Sequence, residues 1–261
     1  MKQKIIKIVL ISSCSLIVVA LFAWYFYPVL AFKWFLFQHK AFSHYFSLKP
    51  TTINTLKAPP KHWKGINIDS LVMKLPLEQY KNVKDIGYDI RFISDKGVLF
   101  VSDIVPYLGL MDNLIKEGKM TYPYVSYNDQ VAYYSSTPAD ISFLNSRSKN
   151  VSAFSNQILK IIGIPSGIGG LREILIINSG KLKARCLIGE TSDKGCRAWL
   201  DLYNSKENVS ISLAFLKYQD IATLKTDMLN VLGGIKMPDQ LPDRNQVKKD
   251  IKAIVTKYNT K

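Results

Sequence analysis

Histidine is the side chain whose ordinary pKa suits acid–base work near neutral pH, and it is the commonest metal ligand. This chain of 261 residues carries three, His39, His44 and His62. From Gly65 onward there is none, so that stretch can build no Ser–His–Asp triad, no Cys–His nucleophile and no histidine metal site. The cysteines are Cys14, Cys186 and Cys196, too few for a disulfide scaffold or a four-ligand zinc site. The glycine-rich run from Gly163 to Gly170 matches neither a nucleophile elbow nor a dinucleotide-binding loop, and no Walker loop is present. Carboxylates remain, because two acids brought together by a fold suffice for glycoside hydrolysis. Glu173, Glu190 and Asp201 fall in strand-like sequence, but their spacing singles none of them out. The expectation is no catalytic residue, no metal and no cofactor.

Residues suited to binding are easier to find. Five tyrosines, Tyr122, Tyr124, Tyr127, Tyr133 and Tyr134, crowd into 119–135 without a clear period. Tyrosine buries a large ring while keeping a polar tip, which suits an interface with a protein partner. Cys186 and Cys196 lie on apolar faces of two successive strand-like runs. A hairpin centred on residue 191 sets them opposite each other, at a separation that accepts a disulfide in an oxidising compartment.

Charge is distributed unevenly. Residues 1–64 hold nine lysines and no acid, residues 65–235 hold 19 basic and 17 acidic side chains, and residues 236–261 hold seven and three. The net charge of +15 therefore belongs mainly to the two ends, which argues against a nucleic-acid-binding face on the folded part. Between Lys7 and Lys33 run 25 uncharged residues, Ile8 to Phe32, ending in Trp24, Tyr25 and Tyr27. A helix of that length reaches about 37 Å, enough for a hydrocarbon core of about 30 Å. The run is too long and too aromatic at its end for a cleaved signal peptide. Ile11-Ser12-Ser13-Cys14 resembles a lipobox, but the sequence after Cys14 stays apolar. A short basic N-terminus before a first apolar segment stays in the cytosol, predicting an N-in orientation.

The elements that must position these groups follow from periodicity. Residues 33–48 keep a helical pattern, with Trp34, Phe37, Ala41 and Tyr45 on one face and lysines opposite, as a helix lying at a bilayer surface would. Residues 49–64, with Pro50, Pro59 and Pro60, read as an extended linker. Strand-like alternation covers 66–75, 88–94 and 98–103, and helices are expected at 107–117, from about 137, and at 151–162. The stretch 173–216 reads as four antiparallel strands separated by short turns, followed by an amphipathic helix over 223–235 and a basic one over 243–258. Ser-Asp-Lys-Gly occurs at 94–97 and again at 192–195, a composition that makes good turns.

The reading is α+β: a single N-terminal transmembrane helix followed by one domain with an antiparallel sheet and packed helices. It divides into a cytoplasmic N-terminus at 1–7, the span at 8–32, the juxtamembrane helix at 33–48, the linker at 49–64, an extracytoplasmic domain at 65–240 and a basic C-terminal helix at 241–261. The architecture resembles that of bacterial envelope proteins, with the inner membrane holding residues 8–48 and the domain in the periplasm. The expected function is protein binding without catalysis, as an immunity or inhibitor protein against a toxin, or an accessory subunit of an envelope or secretion complex. The alternative is a carboxylate-dependent hydrolase acting on envelope polymers.

Overall fold

The computed structural model describes residues 15–21, 34, 37, 48–105, 117, 126–128, 170–191 and 193–259. The chain divides into two compact units, Met1–Ser47 with Ser136–Lys160, and Leu48–Ser135 with Ile161–Lys261. In the first, residues 15–21 are helical. Among the described residues no helix is long and apolar enough to cross a membrane. Most of the expected span and juxtamembrane helix, and the helices expected between 107 and 162, lie outside the described residues.

The second unit is a mixed α+β fold. Its strands are β1 (Thr51–Ile53), β2 (Lys64–Ile68), β3 (Leu71–Leu75), β4 (Tyr80–Ile86), β5 (Asp89–Ser94), β6 (Val98–Ser102), β7 (Gly170–Ser179), β8 (Leu182–Glu190), β9 (Cys196–Asn204) and β10 (Ser210–Tyr218). Two helices follow, α1 (Ile221–Gly233) and α2 (Arg244–Asn259). Eight strands form one sheet in the order β1-β7-β8-β9-β10-β6-β5-β4, and β2 pairs with β3. Within the large sheet β1 runs parallel to β7, and every other neighbouring pair is antiparallel.

Strict alternation places Ile211, Leu213 and Phe215 of β10 in the core, with Leu200 and Leu202 of β9 and Ala184, Cys186 and Ile188 of β8 on the same face. Leu224, Met228, Val231 and Leu232 of α1 cover them. Asp220 caps α1 by accepting from the Thr223 amide at 2.8 Å, and Asp243 does the same for α2 through the Gln246 amide at 2.8 Å.

Two expectations change. The single strand over 66–75 is a hairpin. Its apolar positions switch parity at Asp69-Ser70, from Ile66 and Ile68 to Leu71, Met73 and Leu75. Asp69 turns the chain at a φ of 51°, in the left-handed region that Asp tolerates. Second, the 49–64 linker is part of the fold. Its β1 pairs with β7, the Leu56 amide donates to Ser179 Oγ at 3.1 Å, and Trp63 is buried. The expected basic C-terminal helix is present and docks on the unit. Val247, Ile251 and Ile254 enter the core, and Asp250 Oδ2 accepts from the Asp69 amide at 2.7 Å.

The strap from β1 to Trp63 crosses the end of α1 so closely that a Cβ on Gly233 would collide with the Lys57 carbonyl oxygen. Backbone cannot step aside as a flexible side chain can, so Gly233→Ala should cost about 2 kcal/mol. Gly65 in β2 has open space around it, and Gly65→Ala should leave stability unchanged or slightly raised. Paired denaturant unfolding curves measure the difference. Equal curves would show that the strap is loosely held.

Candidate functional site

The face of the sheet opposite α1 carries Lys183, Arg185 and Asp201. On β8 the alternation Lys183, Arg185, Leu187 points to this face. Pairing sets Lys183 against Tyr203 and Arg185 against Asp201, while Ser212 of β10 sits beside Asp201. Arg185 is 2% exposed, and its guanidinium pairs with the Asp201 carboxylate, which also accepts from Ser212 Oγ at 3.4 Å. Lys183 donates to Glu207 at 2.6 Å and lies 5.3 Å from the centre of the Tyr127 ring. The Tyr127 hydroxyl donates to the Ile177 carbonyl at 3.1 Å, and its ring packs 6.1 Å from that of Tyr203. Burial, with Glu207 adding to it, pushes the Tyr127 hydroxyl pKa up.

A second polar knot sits at the C-terminal end of β10. The Tyr218 hydroxyl donates to Asp227 of α1 at 3.5 Å, and Lys96 approaches the same carboxylate at 3.9 Å. Burial pushes the Tyr80 and Tyr218 hydroxyls far above the ordinary tyrosine range, the nearby Asp227 charge adding to both. Burial also raises Asp227, against the pull of Lys96. Both Ser-Asp-Lys-Gly turns flank this strand end, since β6 and β9 are its two neighbours. Gly97 of the first turn lies against the Leu216 carbonyl and the Tyr218 ring, where a Cβ would come within 2.6 Å. Close approach to β10 thus accounts for the glycine in that turn.

The residues singled out from the sequence separate. Tyr122, Tyr124, Tyr133 and Tyr134 lie outside the described residues. Tyr127 is buried at 5% exposure, so it packs within its own fold and is not an exposed contact. Cys186 and Cys196 are free thiols, a correction to the expected disulfide. The β8–β9 hairpin closes at Glu190 opposite Cys196, which leaves Cys186 opposite Leu200. Four residues of strand, about 13 Å, separate the two cysteines along the ladder. Cys186 Sγ lies 3.7 Å from Met228 Sδ, and burial chiefly pushes both thiol pKa values up, which keeps thiols inert.

The three carboxylates each meet a cation. Glu173 accepts from Lys225 at 2.5 Å, Glu190 from Arg172 at 2.9 Å, and Asp201 from Arg185. Asp201 stands on the opposite face from Glu173, which pairs with core-facing Ile188. Among the described residues no three His, Cys, Asp or Glu side chains gather as a metal site would require.

Sequence reasoning missed Arg185 and Asn259. The signal for Arg185 was present: the hairpin centred on residue 191 sets it opposite Arg197, two like charges, which is unfavourable. Moving the register by four residues keeps every side chain on its face and replaces Arg197 by Asp201. Asn259 ends α2 beside the outer edge of β4, where its Oδ1 accepts from the Val83 amide at 3.0 Å and its Nδ2 donates to the Val83 carbonyl at 2.6 Å. Next to it a cavity of about 600 Å³ opens between β4 and the end of α2, lined by Leu77, Glu78, Tyr80, Lys81, Asn82, Tyr258 and Asn259 itself. No family model, curated protein or solved structure matches the chain.

Removing one partner of a buried ion pair leaves the other charge uncompensated. Asp201→Asn should therefore destabilise the fold by about 3 kcal/mol. The double change Arg185→Met with Asp201→Leu should recover most of that loss, because an apolar pair needs no partner. Denaturant unfolding of the single and double variants reads both. A silent Asp201→Asn would show that the pair contributes nothing to the fold.

Proposed function

We propose that the chain is a single-pass, membrane-anchored protein whose α+β unit binds another protein and performs no catalysis. In its most concrete form it is a periplasmic immunity or inhibitor protein, held at the bacterial inner membrane to neutralise an incoming toxin. An accessory subunit of an envelope or secretion complex is the near neighbour of that reading.

The observation that carries the anchor is the surface of residues 15–21. They are helical, and Leu16, Ile17, Val18, Val19 and Leu21 are each 58–70% exposed. A helix apolar on all sides and uncovered by protein fits lipid as its solvent. Trp34 and Phe37, stacked at 5.8 Å and equally uncovered, suit the interfacial zone that follows. Binding without chemistry is favoured by the way the acids are spent. Glu173, Glu190 and Asp201 are each held by a cation, whereas hydrolysis by two carboxylates needs one acid kept protonated and a second poised across the scissile bond.

Alkaline phosphatase fused to the C-terminus should be active in bacteria, and green fluorescent protein fused there should be dark. The reverse pattern would place the domain in the cytosol and end the immunity reading. Glu173→Gln and Glu190→Gln remove half-exposed charges and should leave the cellular phenotype intact. A phenotype lost with either, in protein that still folds and reaches the membrane, would favour the hydrolase.

A further inference from the structure

The sheet ends on β4, a seven-residue strand whose side chains, Tyr80 and Val83 apart, are exposed. In an antiparallel pair, alternate residues turn their N–H and C=O toward the partner strand and the rest turn them outward. Val83 turns both groups outward, since the Asn259 amide meets both. By the same parity the main chain of Asp85 faces outward too. The two bonds on Val83 are those that one residue of a further antiparallel strand would make. The Asn259 side chain thus occupies a single residue's place in a missing ninth position of the eight-stranded sheet.

We propose that the outer edge of β4 is the docking strip of this protein, and that its occupant is an extended, acidic segment of a partner protein added to the sheet as a strand. The inference rests on the protein-binding reading above and gives that binding its mode. Main-chain bonds supply affinity in strand addition, and pockets for alternate side chains supply selectivity. The cavity between β4 and the end of α2 borders the strip; Leu77, Tyr80 and Tyr258 give it an apolar side, and Glu78, Lys81, Asn82 and Asn259 a polar one. It can take an apolar side chain of the incoming strand. Charge decides the other positions. Lys84 is exposed on β4, Lys81 beside it pairs with Asp95 at 2.6 Å, and the docked α2 turns Lys248, Lys249 and Lys252 to solvent while its one acid, Asp250, is held by the Asp69 and Gln246 nitrogens; these lysines outnumber the acids of the strip, Glu78 and Asp85. When the partner binds, its main chain replaces the Asn259 amide on Val83.

The test uses the full-length chain in detergent micelles and two fluorescent peptides, one alternating glutamate with valine and one alternating lysine with valine, titrated by fluorescence anisotropy. The glutamate peptide should bind at least tenfold more tightly than the lysine peptide. Asn259→Ala clears the strip and should tighten glutamate-peptide binding about threefold or more. Lys81→Glu with Lys84→Glu should weaken it about tenfold, and so should Asp85→Pro, which removes one outward N–H at an exposed edge position where proline is tolerated. Circular dichroism checks that each variant folds. Equal binding of the two peptides, or binding indifferent to Asp85→Pro in folded protein, overturns the proposal. Self-association of Asn259→Ala without peptide binding also overturns it, by naming a second copy as the occupant. A failed titration with the Glu173→Gln and Glu190→Gln phenotypes intact rejects the strip and leaves the wider binding reading standing.

Discussion

Arg185 has almost no exposed surface, and its charge is met by a carboxylate because β8 and β9 pair in the register that brings Asp201 across from it. An arginine cannot shed its proton to escape burial, so an alternative register would leave a buried guanidinium without the Asp201 carboxylate across from it. Hydrophobic patterning does not make that choice, since shifts of two or four residues keep Leu182, Ala184, Cys186 and Ile188 on the core face. The loop between Thr191 and Gly195 agrees with the ion pair: the Thr191 amide donates to the Gly195 carbonyl at 2.8 Å, and Lys194 takes a φ of 61°. Turn and charge thus specify the same register, and β7 and β10 build outward from it.

The margins of this sheet are finished by segments far away in sequence. Val72 and Lys236 exchange two main-chain bonds, at 3.1 and 2.8 Å, and the Lys74 amide donates to the Gly234 carbonyl at 3.1 Å. The chain leaving α1 therefore continues the β2–β3 hairpin. The turn of that hairpin is tied in turn to α2, where Asp69 Oδ2 accepts from the Asp243 amide at 3.1 Å. The expected linker and the expected tail together close over α1 and β4, and the lysine-rich ends of the unit become structural parts of it.

What could be read from the sequence follows the strength of each local signal. The block 173–216 alternates over four strands with turn residues between them, and all four strands appear within a few residues of their expected limits. The apolar stripes over 223–235 and 243–258 place α1 and α2 equally well. The strand β4 left no such trace, because only Val83 of its seven residues is buried and one apolar residue makes no period. Likewise β1 is three residues long and joins in parallel to a strand more than 100 positions away, a contact that local pattern cannot encode. The candidate site was legible only in its parts. Arg185 and Asp201 are conspicuous as charges within strands, yet the partnership between them waits on the register. Asn259 is an ordinary helix-terminal residue until the fold brings Val83 beside it.

The two ends of the sheet meet the hazard of an open edge in different ways. Exposed edge groups invite pairing with other chains, and proteins blunt them with short strands, charges or covering segments. At one end β1 is so short that it offers little to pair with. At the other, β4 runs for seven residues and carries Lys81, Lys84 and Asp85 along it, with a single side-chain amide set on Val83. The helix α2 packs against β4 and ends at Asn259. A side-chain amide makes the same hydrogen bonds as a peptide unit but is held by one residue's rotamer, so it gives way at small cost when a strand arrives. Strong polar side chains of the unit are committed to one another: Arg185 to Asp201, Lys183 to Glu207, Lys225 to Glu173, Lys81 to Asp95 and Tyr218 to Asp227. Commitments of that kind stabilise a face and take it out of use for recognition. At Val83 the main chain is instead held by one replaceable amide, beside a cavity able to accept what would replace it.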